Sequence, residues 1–169
     1  MSELVQINST IVLRKLNDED LDFIMTEQAK AENNQFIPQW TRRRHLASIK
    51  DTDFMYLIVE ASPDSRPVGY VILSGVGGYN KHIAIRQFVI SEKRKGFGRS
   101  ALILIKEFAF QQLRSHRLRL EVWAHNPNAK ALYESEGFFE EGTVRDCVLE
   151  NNRYLSYTIM SILESEYYS

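Results

Sequence analysis

From residue 83 the chain reads Ile-Ala-Ile-Arg-Gln-Phe-Val-Ile over 83–90, continues as Ser91-Glu92-Lys93-Arg94-Lys95-Gly96-Phe97-Gly98-Arg99, carries Leu102, Ile105, Phe108, Ala109 and Leu113 at helical spacing, and then reads Arg117-Leu118-Arg119-Leu120-Glu121-Val122. The outer runs are rich in β-branched and aromatic residues and the middle one has the helical period, which predicts strand, loop, helix, strand. A crossover of this length returns the second strand parallel to the first. Glycines at 96 and 98 allow the backbone to approach a ligand, and the N–H groups that open the following helix have no intrahelical partners. The helix dipole adds about half a positive charge, and Lys93, Arg94, Lys95 and Arg99 add whole ones, a density suited to a diphosphate more than to a lone carboxylate. A solvated basic turn explains a two-glycine loop equally well when the loop is taken alone.

Working outward, Thr10–Lys15 alternates apolar and polar residues and predicts a first strand, after which Asn17 or Asp18 caps a helix running to about Ala31. Phe36, Ile37, Pro38 and Trp40 form an aromatic, proline-broken segment that leads into a basic helix over Arg42–Lys50. Phe54–Glu60 and Val68–Ser74 predict a hairpin. Downstream, Asn126-Pro127 opens a last helix that Gly137 ends, and Thr143–Leu149 with Tyr154–Ile162 closes the chain as an antiparallel pair about the turn at Glu150-Asn151-Asn152. The expected fold is an α/β, in the α+β sense: a mixed, largely antiparallel sheet of about seven strands with about four helices, in one domain over residues 1–169.

Composition bounds the function. The 169 residues are 44% apolar and 25% charged with a net charge of −1, which suggests neither disorder nor a field that would gather nucleic acid or a membrane surface. No apolar run approaches the roughly 18 residues of a membrane span, and acidic residues occupy the place of a signal peptide's basic start, so a cytoplasmic protein is expected. Cys147 stands alone, and His45, His82, His116 and His125 lack ligand spacing, so neither a disulfide nor a metal is expected. Gly96 to Ala101 also fits the dinucleotide fingerprint G-x-G-x-x-A, with Glu121 about 20 residues on, but that fold needs further parallel strands and helices, which the chain after Val122 does not offer.

The stretch Asn126-Pro-Asn-Ala-Lys-Ala-Leu-Tyr133-Glu-Ser-Glu-Gly137-Phe138 gives the pattern N-x-x-A-x-x-L-Y-x-x-x-G-F. Downstream of a basic G-x-G loop, this pattern resembles the GNAT superfamily of acetyl-CoA-dependent N-acetyltransferases, particularly its ribosomal-protein and small-amine branch. The order of elements over nearly the whole chain is similar as well. The resemblance implies acetyl-CoA as acetyl donor, no metal, and a primary amine on a small molecule or a protein N-terminus as acceptor; self-association into a homodimer stays open. It implies that the backbone of Val89 and Ile90 pairs with the pantetheine amides, that Lys95, Gly96, Gly98, Arg99 and Ser100 surround the diphosphate, and that Asn126 and Tyr133 meet the pantetheine arm and the sulfur. Asn126 and Tyr133 are two helical turns apart, about 10 Å in rise, on one face. Lys93 stands where the family pattern has Arg or Gln; it keeps the charge and loses the planar fork.

Direct attack of an amine on a thioester has to place two protons. A lysine-like amine of pKa about 10.4 needs about 4–5 kcal/mol to lose its proton at pH 7. By resemblance Glu121, in Leu120-Glu121-Val122, is the candidate base and Tyr133 the candidate acid. The strand before the loop carries Arg86 and Gln87, where other branches place a glutamate. Glu27 and Glu32 are candidates for attracting a cationic acceptor. A non-catalytic acyl-CoA-binding module on the same fold is the rival reading.

Overall fold

The computed structural model describes residues 3–169. Eight strands form one sheet in the order β1-β2-β3-β4-β5-β6-β8-β7. They are β1 (Leu4–Ile7), β2 (Ile11–Lys15), β3 (Phe54–Ala61), β4 (Arg66–Ser74), β5 (His82–Ile90), β6 (Arg117–Trp123), β7 (Phe139–Glu150) and β8 (Arg153–Leu163). The helices are α1 (Asp20–Ala29), α2 (Ala31–Asn34), α3 (Arg42–Lys50), α4 (Phe97–Glu107), α5 (Pro127–Ser135) and α6 (Glu164–Tyr167). A π-helical turn at Phe108–Gln112 continues α4. The expected mixed, mostly antiparallel sheet is present, and β5 and β6 are its parallel pair. Among the described residues no helix is long and apolar enough to cross a membrane.

Two apolar clusters sit on opposite faces. Leu102, Ile105 and Phe108 from the α4 segment pack on Leu118, Leu120, Met160 and Ile162. On the other face Ile24 of α1, with Ile37 and Trp40, packs on Tyr56, Ile58, Tyr70, Ile72 and Val89. Alternation along each strand sends successive residues to these two faces, which is why β3 and β4 read as nearly continuous apolar runs.

The elements differ from expectation where local signals are weak. β1 is a four-residue edge strand with Leu4 and Ile7 more than half exposed, so it lacks a buried stripe to announce it. The expected first helix ends at Ala29, close to where it was expected to end, because Lys30 is extended at ψ 136°; the short α2 that follows was not expected, and there the Asn33 amide donates to Glu27 O at 2.8 Å. The N-cap of α1 is Glu19, while Asp20 turns inward to Arg14 at 2.6 and 2.9 Å. The final hairpin is longer than expected, and its turn has Asn151 and Asn152 at φ 49° and 59°, the mirror-image geometry that suits the right-handed twist of a tight hairpin.

A buried polar network fixes the segment 36–40. Gln28 donates to Trp40 O at 2.7 Å, and its side-chain oxygen lies 3.1 Å from His45 Nε2. His45 Nδ1 lies 3.0 Å from the Tyr56 hydroxyl. The set is consistent with neutral imidazole, Nε2–H donating to Gln28 and Nδ1 accepting from Tyr56. Further along, Gln87 accepts from the Tyr70 hydroxyl at 2.9 Å and donates to Pro38 O at 2.8 Å. Burial, with the nearby Arg44 charge, pushes the His45 pKa down from 6.5 to about 4.

The unfolded chain therefore takes up a proton at His45 between pH 6.5 and 4 while the folded chain does not, so this contribution to stability is complete above about 6.5 and falls as pH drops toward 4. Thermal unfolding followed across pH 4–7 should show a steeper fall of Tm in the natural protein than in His45→Gln. Equal slopes would show that His45 is not held neutral.

Candidate active site

β5 and β6 pair only from His82–Arg117 to Ile85–Leu120, and then they diverge. A bulge accompanies the divergence. Ile72 on β4 faces Gln87 and Leu73 faces Ile85, leaving Arg86 as the extra residue on β5. A bulge bends its strand and raises its twist, which carries β5 away from β6. The opening is a cleft of about 1290 Å³, lined along one side by residues 84–90 of β5 and along the other by 119–123 of β6.

Beyond Ile85, β5 keeps its ladder to β4 and has no strand on the side facing the cleft. Ser91 N–H donates to Val68 O at 2.8 Å. By alternation Val89 also turns its N–H and C=O to β4, and the groups of Ile90 and Phe88 face the cleft. This is a free strand edge suited to an extended ligand that carries amides. Of the two backbone positions expected to meet pantetheine, the register favours Ile90, and Phe88 joins it.

The basic loop closes one end. Gly96 is the N-cap of α4 at φ 79°, a conformation that costs a side-chain-bearing residue about 1–2 kcal/mol. Gly96, Phe97 and Gly98 line the cleft, as do Lys93 and Arg94. The other expected phosphate residues lie outside the lining. Lys95 pairs with Glu92 at 2.7 Å, Arg99 pairs with the Glu136 carboxylate and reaches Ser135 Oγ at 3.1 Å, and the Ser100 hydroxyl meets that of Thr10 at 3.2 Å. Lys93 donates to Asn33 Oδ1 at 2.9 Å, with its pKa lowered by desolvation. It ties the basic loop to α2.

Asn126 caps α5 by accepting from Ala129 N–H at 3.3 Å, and Tyr133 follows two turns on; both line the cleft. Tyr133 is 9% exposed, packs 5.9 Å from the Phe138 ring, and its hydroxyl has no hydrogen-bond partner among the described residues. Burial raises its pKa well above that of a free phenol. Glu121 lines the opposite wall and pairs with Arg119 at 3.0 Å. Among the described residues no group of His, Cys, Asp and Glu is placed to hold a metal ion.

The far end of the cleft is aromatic. Trp123 meets Tyr157 at 6.0 Å and His125 at 6.3 Å, and His125 stacks on Phe36 at 5.5 Å. Sequence reasoning had singled out Phe36 to Trp40 and missed Trp123 and Tyr157. The signal was available: alternation puts Arg119, Glu121 and Trp123 on the face opposite the buried Leu118, Leu120 and Val122. Glu32 lines the cleft, whereas Glu27 is buried, pairs with Lys30 at 2.5 Å, and leaves one carboxylate oxygen without a partner.

A free strand edge, an open helix N-terminus with glycines and cations, and a phenol at the far end of the same cleft together fit a long molecule that has a diphosphate, amides and a terminal sulfur. Comparison with known proteins agrees. The sequence model described as "Acetyltransferase (GNAT) family" matches residues 21–138. The chain is similar to the spermidine N(1)-acetyltransferase of Vibrio cholerae, 28% identical over 173 residues and covering 95% of this chain and 97% of that protein. It is also similar to a probable N-acetyltransferase, YjcK, of Bacillus subtilis, 27% identical over 119 residues, 69% of this chain and 65% of that one. A crystal structure of the Vibrio cholerae spermidine N-acetyltransferase in complex with CoA and spermine superposes with a TM-score of 0.85 at 27% identity, covering 96% of this chain and 100% of that one. The chain belongs to the acetyltransferase (GNAT) family and is an enzyme that transfers acetyl groups from acetyl-CoA to an amine.

Proposed function

We propose that the enzyme acetylates the primary amine of a small molecule by direct attack, with Glu121 taking the amine proton and Tyr133 donating a hydrogen bond to the departing sulfur. The observation that carries this reading is the cleft itself, which has an otherwise unpartnered phenol on one wall and a carboxylate on the other. Acetyl-CoA supplies an acetyl thioester. Gly96 and Gly98, with Lys93 and Arg94, would receive the diphosphate, Ile90 and Phe88 would pair with the amides, and Asn126 would meet the pantetheine arm. Lys95, Arg99 and Ser100 would support the loop through their bonds to Glu92, Glu136 and Thr10.

Glu121 stands on the face of β6 opposite α4, beside the aromatic end where an amine would enter. Its partner Arg119 orients the carboxylate. Tyr133 is a poor proton donor, because a phenol of pKa about 10 giving its proton to a thiolate of about 8.5 already runs uphill by about 2 kcal/mol, and burial raises the phenol further. Hydrogen bonding to the forming thiolate is the role its environment supports. Spermidine, the acceptor of the Vibrio cholerae relative, is a small amine and is the first acceptor to assay. We assign the enzyme to the cytoplasm, in keeping with the single cysteine and the lack of a membrane-spanning helix among the described residues.

Tyr133→Phe should preserve packing and stability while lowering kcat about 10- to 100-fold, the worth of one hydrogen bond to a charged group, with coenzyme A affinity changed less than threefold. Matched losses in turnover and affinity, read from thiol release and from calorimetry, would count against this role. Glu121→Gln should lower kcat/KM about 100-fold or more near pH 7. Because an unassisted amine deprotonates about tenfold more per pH unit, the gap from the natural enzyme should narrow as pH rises to 9; a constant ratio across that range would remove Glu121 from the proton path.

A further inference from the structure

The charges at the acceptor end do not balance. Arg86, the bulged residue at the point of divergence, lines the cleft half-buried and has neither an ion-pair nor a hydrogen-bond partner among the described residues. Arg44 of α3 also lines the cleft; it is exposed, with its guanidinium carbon 3.9 Å from the Trp40 ring centroid and no carboxylate partner among the described residues. Elsewhere the partly buried arginines are matched: Arg14 by Asp20 and Glu60, and Arg117 by Glu141. A guanidinium withdrawn from water without a counter-charge is unfavourable unless a ligand supplies one.

The acidic residues lining the cleft do not supply it. Glu121 is committed to Arg119. Glu32 acts on Lys93 at the phosphate end, Glu92 pairs with Arg66 and Lys95, and Glu150 stands partly exposed at the tip of the β7–β8 hairpin, across the ladder from Arg153. Arg94 and Lys93 are accounted for by the diphosphate. Arg86 and Arg44 are left, beside the aromatic wall. The Tyr157 phenol, part of the aromatic wall, feels the charges of Glu121, Arg119 and Arg86, so Arg86 reaches the same end of the cleft as the carboxylate.

We propose that the acceptor carries an anionic group, a carboxylate in the simplest case, near its amine, and that Arg86 and Arg44 hold that group while Glu121 receives the amine. The proposal rests on the acetyl-transfer reading above and narrows its acceptor to amino-acid-like amines with an apolar or aromatic body. Arg suits the task because its planar fork can meet both oxygens of a carboxylate. A polyamine would bring several positive charges to the same place and be repelled by both arginines.

The test is a set of paired acceptors that share an amine and differ by a carboxylate: phenylalanine with phenethylamine, ornithine with putrescine, lysine with cadaverine, and spermidine alongside. Thiol release at saturating acetyl-CoA gives kcat/KM for each. At least one carboxylate-bearing member should exceed its partner, and spermidine, by tenfold or more. Arg86→Gln should reduce that lead to within threefold, Arg86→Lys should restore part of it, and coenzyme A affinity should stay unchanged in both variants. Preference for spermidine or for the decarboxylated partners, or a lead that survives Arg86→Gln, would overturn the proposal and leave acetyl transfer standing. No turnover of any amine, with acetyl-CoA still raising Tm, would overturn both readings.

Discussion

Backbone groups in a sheet need partners, and the termination of the β5–β6 ladder at Ile85 and Leu120 leaves a row of them unmet. The other features of the cleft follow from that interruption. A sheet edge left open inside a folded chain is a place for another extended amide chain, and here the bulge at Arg86 turns the edge outward rather than letting β6 close on it. The crossover between the two strands then brings the α4 N-terminus to the mouth of the gap, because a right-handed strand–helix–strand unit must return over the sheet face. The open helix N-terminus and the free strand edge are therefore two consequences of one topology.

The two walls are held in different ways. On one side, α4 and α5 are fastened by apolar packing and by Glu136, which receives both Arg99 and Lys106. On the other, the segment 36–40 has little regular structure, and its carbonyls are taken by Gln28 and Gln87, each of which bonds a second buried group. A fully satisfied buried network of this kind specifies one position for the segment, since a half-satisfied one would be costly. Lys93 links the walls by reaching from the basic loop to Asn33.

Much of this was legible in the sequence. The crossover unit, the basic glycine loop, the Asn126 cap and the position of Tyr133 all depend on local spacing, which a linear reading recovers. The edge strand at Leu4–Ile7 and the short α2 escaped because an exposed four-residue strand leaves no apolar stripe and because a single turn held by the Asn33–Glu27 bond has no period of its own. The charged residues of the loop were the least readable part. Composition announces four cations from Lys93 to Arg99 only as a patch; which of them face a ligand depends on Glu92, Glu136 and Asn33, the last two far away in sequence. Parity along β5 was equally hidden, since the direction of Val89 follows from the register with β4.

The most direct test of the account is a crystal structure of the enzyme with coenzyme A. The account predicts the pantetheine arm in the gap between β5 and β6, its amides bonded to the backbone of Ile90 or Phe88 at about 3 Å, and its sulfur within about 4 Å of the Tyr133 hydroxyl oxygen. A coenzyme bound along another face, or a sulfur remote from that phenol, would contradict it.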